Sequence, residues 1–229
     1  MSFISLRHKL IFIHIAKTGG KSMNVLLKNH CKPEIVFNTK SLIHNTDQLG
    51  KRIALEAMKL TSNEVWDSCF KFAFVRNTWD RTVSMYEHLK ESYRSQMSTG
   101  GTPNDKIEIV NSILDVLNIK FEDFTFEVFV KSIIRDQMFK NYHWDLQLNC
   151  ISDGEDRIVI DYIGRFESLE KDFGFVCSHV GLPKLHLPHF HKSNHSHYAM
   201  YYTNELVKIV GDFYKKDNDY FQYKFNHSI

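Results

Sequence analysis

The chain has little of what would mark several common classes of protein. Its four cysteines, in 229 residues, are widely spaced and form no CxxC pair, so we expect free thiols in a reducing compartment and no zinc site. The formal net charge of +2 is too small to indicate general binding to nucleic acid or to a membrane surface. Internal repeats and low-complexity tracts are absent from the sequence. The positions of individual basic residues are therefore more informative about function than the total charge.

A long apolar segment is also missing. The longest apolar run, Leu10–Ala16, contains His14 and is far too short to span a bilayer. The N-terminus lacks the basic-then-apolar pattern of a signal peptide. We therefore predict a cytoplasmic protein with no integral membrane segment. The composition is 43% hydrophobic and 24% charged, which is ordinary for a globular chain, and the length suits one substantial core.

The most informative segment is a strand, a glycine turn and a helix near the N-terminus. The apolar run from Leu10 to Ile15 breaks into Lys-Thr-Gly-Gly-Lys-Ser at 17–22, and a helical pattern follows. Glycines let the backbone approach an anion closely, and a helix N-terminus favours negative charge. Lys17 and Lys21 add two positive charges to the same turn. The segment predicts a site for a phosphate-like group.

Further strands predict the fold class. Cys69–Val75 and Arg157–Ile163 are apolar enough for buried strands, and Glu34–Phe37 is a shorter candidate. Strands that alternate with helices predict an α/β domain with a mainly parallel sheet. Ligands of such sheets lie at the carboxyl ends of the strands. The glycine turn and Arg76 both follow strands, so we expect them to share a ligand.

The remaining elements are predicted from periodicity and turn residues. Asn77 is expected to cap a helix, and the segment Ser92–Lys106 is expected to be a loop. Residues 107–135 have the pattern of two amphipathic helices. Other helices are expected from about Ser168 to Val180 and from Ala199 to Lys216.

A nucleoside-triphosphate site is one interpretation of the turn. Gly20, Lys21 and Ser22 match the end of the Walker A pattern, but Ile15 stands where that pattern has a glycine. Asp161, after an apolar run, would be the metal-holding aspartate. A P-loop nucleotide kinase or NTPase using Mg-ATP is therefore the alternative function.

Two motifs together resemble those of another family. Lys17–Ser22 and Phe74–Tyr86 closely resemble the two donor-binding motifs of sulfotransferases, which use 3′-phosphoadenosine 5′-phosphosulfate (PAPS). The nearest resemblance is to the carbohydrate sulfotransferase group that includes the chondroitin and heparan 2-O-type enzymes. Other segments fall in the family's order: His143-Trp144 with Gln147, Asp161–Glu167 with Leu169, Leu187-Pro188-His189 with Lys192-Ser193, and Tyr201-Tyr202 followed by Asp217 and Tyr223.

The resemblance covers nearly the whole chain and implies its architecture. We expect a single sulfotransferase domain over residues 1–229, with a P-loop-like three-layer α/β fold in which helices flank a central, mainly parallel sheet. It implies PAPS as co-substrate. No metal is expected, because the transferred group carries less charge than a phosphoryl group and lysines can compensate that charge. The acceptor would be a hydroxyl of a saccharide or glycoconjugate, and no nucleic-acid partner is expected.

The family pattern also implies the donor contacts. PAPS carries a 5′-phosphosulfate and a 3′-phosphate, so it needs two anion sites. The turn would hold the phosphosulfate, while Arg76 and Ser84 would hold the 3′-phosphate. A strand-end ion pair with Asp80 is the alternative for Arg76. The expected donor-binding residues are Lys17, Thr18, Gly19, Gly20, Lys21, Ser22, Arg76, Ser84, Lys192 and Ser193.

The transfer step needs a cation at the departing phosphate oxygen and a base for the acceptor hydroxyl. Lys17 opens the turn and is the expected cation. His44, between the two donor motifs, is the expected base, and His143 is the alternative. His143 and Trp144 are also expected to line the acceptor site. A nucleotide-binding protein without catalytic activity is a third interpretation.

Overall fold

The computed structural model describes residues 1–37, 53–100, 104–136, 143–187 and 197–227. The chain forms two compact units. The sheet unit comprises Met1–Asn77 and Asp145–Lys192, and the helical unit comprises Thr78–Trp144 and Ser193–Ile229. The single domain over residues 1–229 stays a prediction.

The described residues contain five strands and ten α-helices. The strands are β1 Ser2–Ser5, β2 Leu10–Ile13, β3 Ile35–Phe37, β4 Phe70–Val75 and β5 Tyr162–Arg165. The helices are α1 Gly20–Cys31, α2 Ile53–Lys59, α3 Asn63–Ser68, α4 Thr78–Thr99, α5 Asp105–Leu117, α6 Phe126–Phe129, α7 Gln147–Ile151, α8 Leu169–His179, α9 Asn204–Phe213 and α10 Lys215–Phe221. None of the helices in these ranges is both long and apolar enough to cross a membrane.

The strands make one mainly parallel sheet in the order β3-β1-β2-β4-β5. β2, β4 and β5 run parallel to one another, whereas β1 is antiparallel to both β2 and β3. β2 and β4 are buried along almost their whole length, because helices cover both faces. The predicted α/β class with a central, mainly parallel sheet is confirmed.

The side chains of the sheet alternate between two packed layers. Phe12, Phe72 and Phe74 point to one face, where they pack with α1 and α8 around Met23 and Phe173. On the other face α2 packs against β2 and α7. The four cysteines are buried free thiols, and burial raises the pKa of Cys31 to about 11. These layers hold the loops that follow β2 and β4 at one end of the sheet.

The helical unit packs around an aromatic cluster. The Tyr86 ring on α4 lies 5.4 Å from that of Phe126 and 5.9 Å from that of Phe129, measured between centroids. The Tyr86 hydroxyl donates to the Phe124 carbonyl oxygen at 3.1 Å. Because these rings come from α4, α6 and the segments beside them, the cluster ties α4 to the chain that follows it.

The strand predicted over Arg157–Ile163 corresponds to β5 and differs from its prediction. It begins at Tyr162 instead of Arg157, and the preceding residues make only an isolated bridge between Ser152 and Ile158 among the described pairings. The Asp161 carboxylate accepts the Lys71 amide at 2.7 Å, so ladder pairing with β4 starts one residue later. β1 was missed altogether, because four residues give too short a pattern.

Three helical boundaries also differ from expectation. α4 continues to Thr99, so the loop predicted from Ser92 is helical for its first half. The second of the two helices predicted within 107–135 is divided into a 3-10 turn, α6 and a π-helix over Val130–Arg135. The helix predicted from Ala199 to Lys216 is divided into a 3-10 turn, α9 and α10.

Candidate functional site

The turn between β2 and α1 has an unusual backbone. Lys17 and Gly19 adopt left-handed conformations, with φ of 67° and 82°. The Thr18 hydroxyl donates to the Ile15 carbonyl oxygen at 3.0 Å, which fixes the turn from inside. A non-glycine residue in this region is strained by roughly 1–3 kcal/mol, and such strain is concentrated at functional sites. The alternation of conformations is typical of a backbone nest that binds anions.

Both glycines of the turn are closely packed against side chains. An ideal Cβ on Gly20 would lie 2.0 Å from Cδ2 of His14, and one on Gly19 would lie 3.0 Å from Cδ2 of Leu169. Gly19 is the N-cap of α1, and the first turn of that helix carries no acidic side chain. The helix start is therefore electrostatically suited to a negative ligand.

Arg76 reaches this turn from the end of β4. Its Nη1 donates to the Lys17 carbonyl oxygen at 3.2 Å, and its Cζ lies 3.9 Å from the ring centroid of Phe166. Only 6% of Arg76 is exposed. The stacked ring and the carbonyl together limit the rotamers of the guanidinium. The structure thus brings Arg76 and the glycine turn together, as the strand ends predicted.

Two side chains hold the backbone where β4 ends, the buried Gln147 and the exposed Glu167. Gln147 Oε1 accepts the Arg76 amide at 2.8 Å, and Gln147 Nε2 donates to the Arg76 carbonyl at 2.9 Å. Glu167 Oε1 accepts the Asn77 amide at 2.6 Å. Gln147, Phe166 and Glu167 were not predicted to have a role at the site. Their only signal was their place in the family's order of motifs.

The other predicted residues of the turn differ in exposure. Thr18 and Ser22 are buried, Lys17 and Gly19 are half-buried, and Lys21 is exposed. Because the Thr18 hydroxyl is used inside the turn, Thr18 can offer an anion its backbone amide and not its side chain. Lys21 adds positive charge at the solvent side.

Asp161 lies at the opposite end of the sheet from the turn. It precedes β5, whereas the turn follows β2, and the two strands run in the same direction. Its carboxylate is 3.0 Å from Nζ of Lys71, in addition to its bond with the Lys71 amide. Asp161 is therefore placed to anchor the strand and not to hold a metal beside the turn. This removes the residue on which the Mg-ATP alternative depended.

Three predicted residues belong to the helical unit. Ser84 lies on α4 and is 6% exposed. The His143 carbonyl accepts from Arg81 Nη2 at 3.0 Å, and the Trp144 carbonyl accepts from the Tyr214 hydroxyl at 2.7 Å. Trp144 is 5% exposed. Its ring is therefore largely enclosed, and the backbone of both residues is fixed by hydrogen bonds.

Three further predicted residues, His44, Lys192 and Ser193, lie outside the described residues. Within the ranges that the structure describes, no group of three or more His, Cys, Asp or Glu side chains could hold a metal ion.

Comparison with known proteins gives the family. A solved sulfotransferase structure from Alicyclobacillus acidocaldarius is similar with 12% identity, over 93% of this chain and 96% of that chain, at a TM-score of 0.35. No curated protein matches the chain. The sequence profile described as "Sulfotransferase family" matches residues 1–224. On this match, which spans almost the whole sequence, the chain belongs to the sulfotransferase family.

Proposed function

We propose that this protein transfers a sulfuryl group from PAPS to a hydroxyl of a saccharide or glycoconjugate. The observation that carries the proposal is the hydrogen bond of Arg76 to the Lys17 carbonyl, which joins two cationic elements at the carboxyl ends of parallel strands. The family match supports sulfuryl transfer in general. The carbohydrate acceptor rests on the resemblance of the motifs to the carbohydrate group.

The donor would use the two anion sites of this end of the sheet. The backbone amides of the turn, Thr18 to Ser22, would hold the 5′-phosphosulfate, and the side chains of Lys17 and Lys21 would add charge. The Arg76 guanidinium would pair with the 3′-phosphate, because its planar fork matches two phosphate oxygens. Ser84, Lys192 and Ser193 remain proposed donor contacts.

The transfer would be a direct, in-line displacement. The acceptor oxygen forms a bond to sulfur while the bond between sulfur and the 5′-phosphate oxygen breaks, so that adenosine 3′,5′-bisphosphate leaves. Lys17 would stabilise the charge that develops on this departing oxygen. The acceptor's proton would go to His44, with His143 as the alternative base and, with Trp144, as acceptor-site lining.

A thermal-shift titration tests the donor site. Adenosine 3′,5′-bisphosphate at one hundred times its dissociation constant should stabilise the native protein by about 2.7 kcal/mol, which is read as a rise in Tm. Arg76→Ala should lose this rise. The matched control is Arg157→Ala, which removes an arginine whose side chain is 71% exposed and which pairs with Asp153. The control should keep the rise.

Mg-ATP provides the opposing arm of the titration. Stabilisation by Mg-ATP, with no response to the bisphosphate, would refute the proposal in favour of a kinase or NTPase. For the base, His44→Ala should lower turnover by about 10²–10⁴-fold, and His143→Ala by less. The reverse order would assign the base to His143.

A further inference from the structure

The chain leaves the sheet at Val75, and the next residue is the arginine of the donor site. Arg76 directly follows the last residue of β4 and is 6% exposed, so the polar groups of its backbone are largely shielded from water and need hydrogen bonds within the protein. The side chain of Gln147, which is 0% exposed, bonds both of these groups: its Oε1 accepts from the Arg76 amide at 2.8 Å and its Nε2 donates to the Arg76 carbonyl at 2.9 Å.

We propose that Gln147 is a positioning residue that fixes Arg76 for recognition of the donor's 3′-phosphate. This inference rests on the proposed function, because it assumes that Arg76 binds the donor. Gln147 lies at the start of α7, 71 residues further along the chain, and its two bonds hold the peptide groups on both sides of the Arg76 Cα atom.

The side chain of Arg76 is fixed at its other end as well. Its guanidinium stacks on Phe166 at 3.9 Å and donates to the Lys17 carbonyl at 3.2 Å. With the backbone held by Gln147 and the guanidinium held by these two residues, little rotational freedom remains to be lost when an anion binds. An arginine organised in this way binds a phosphate more tightly than a mobile one.

Glutamine suits this position better than other side chains of similar size do. A primary amide carries a donor and an acceptor on one planar group, which is what an amide and a carbonyl of one residue require. Methionine fills a similar volume but satisfies neither backbone group. Glutamate can accept from the Arg76 amide, but its second oxygen would oppose the Arg76 carbonyl.

The test is a double-mutant cycle on ligand affinity, measured by calorimetry well below the Tm of every variant. We expect Gln147→Met to weaken binding of adenosine 3′,5′-bisphosphate about tenfold, which corresponds to about 1.4 kcal/mol. In an Arg76→Ala background the same change should have no further effect, because the residue through which Gln147 acts is already gone. Adenosine 5′-monophosphate, which lacks the 3′-phosphate, should bind equally to the protein with and without Gln147→Met.

The matched control is Ile151→Val on the same helix. Ile151 is 0% exposed, so this change should lower Tm while leaving the affinity for the bisphosphate unchanged. If Gln147→Met does not fold, Gln147→Glu replaces it, since it keeps one of the two bonds.

The outcomes separate this inference from the function on which it rests. Failure of the unaltered protein to bind the bisphosphate would overturn the proposed function itself. Binding that depends on Arg76 but is unaffected by Gln147→Met would overturn the positioning role alone. An equal loss for the bisphosphate and the monophosphate, or an equal loss with and without Arg76, would show that Gln147 supports the fold only.

Discussion

Gly20→Ala tests whether the close contact between the turn and the preceding strand is needed for stability. A new Cβ would lie 2.0 Å from Cδ2 and 2.3 Å from Nε2 of His14, well inside van der Waals contact. Overpacking of this kind costs typically about 1–3 kcal/mol, whereas replacing a helical glycine by alanine gains at most about 1 kcal/mol. We therefore expect the free energy of unfolding to fall by about 1–2 kcal/mol.

Urea denaturation measures the effect as a lower midpoint at an unchanged slope. Gly174→Ala is the matched control, because Gly174 also lies in a helix, α8, but nothing lies within 4 Å of its added Cβ. This control should raise the free energy of unfolding by up to about 1 kcal/mol. The two substitutions are chemically identical and should have opposite signs.

A second variant identifies the contact responsible. If His14 is the obstacle, the loss caused by Gly20→Ala should shrink in a His14→Ala background, since the ring that blocks the Cβ is absent. A Gly20→Ala protein as stable as the unaltered one would refute the reasoning. So would an undiminished loss in the His14→Ala background.

Three other substitutions should change the stability of the protein. Gly164→Ala should lower the unfolding free energy by about 1–3 kcal/mol in urea titrations, because its Cβ would lie 2.5 Å from the Phe74 ring. Thr203→Ala should lower it by about 1 kcal/mol, since the Thr203 hydroxyl caps α9 by accepting the Leu206 amide at 3.3 Å. Burial raises the pKa of Tyr86 from its ordinary value of 10.0 to about 12, so the neutral form is favoured in the folded state. The contribution of the neutral Tyr86 hydroxyl to the free energy of unfolding is complete below pH 10 and is lost as the pH rises towards 12. Alkaline unfolding, followed by circular dichroism, should therefore begin at a higher pH in Tyr86→Phe.

The local elements could be predicted where the pattern is long or carries glycine. The strand from Phe70 to Val75 was placed within one residue, because a continuous apolar run can be buried on both faces. α8 was placed within one residue at each end. Short or irregular elements were missed, among them β1 and the π-helix at Val130–Arg135, since few residues give a weak periodicity.

The sequence by itself determined the strand, the glycine turn and the helix that begins at Gly20, together with the family, because these depend on neighbouring residues and on motif order. Only the tertiary structure decided which side chains meet. Gln147 reaches Arg76 across 71 positions, and Asp161 reaches Lys71 across 90. Such contacts depend on the register of the strands and the packing of the layers, and a shift of one residue would turn each side chain to the opposite face of the sheet.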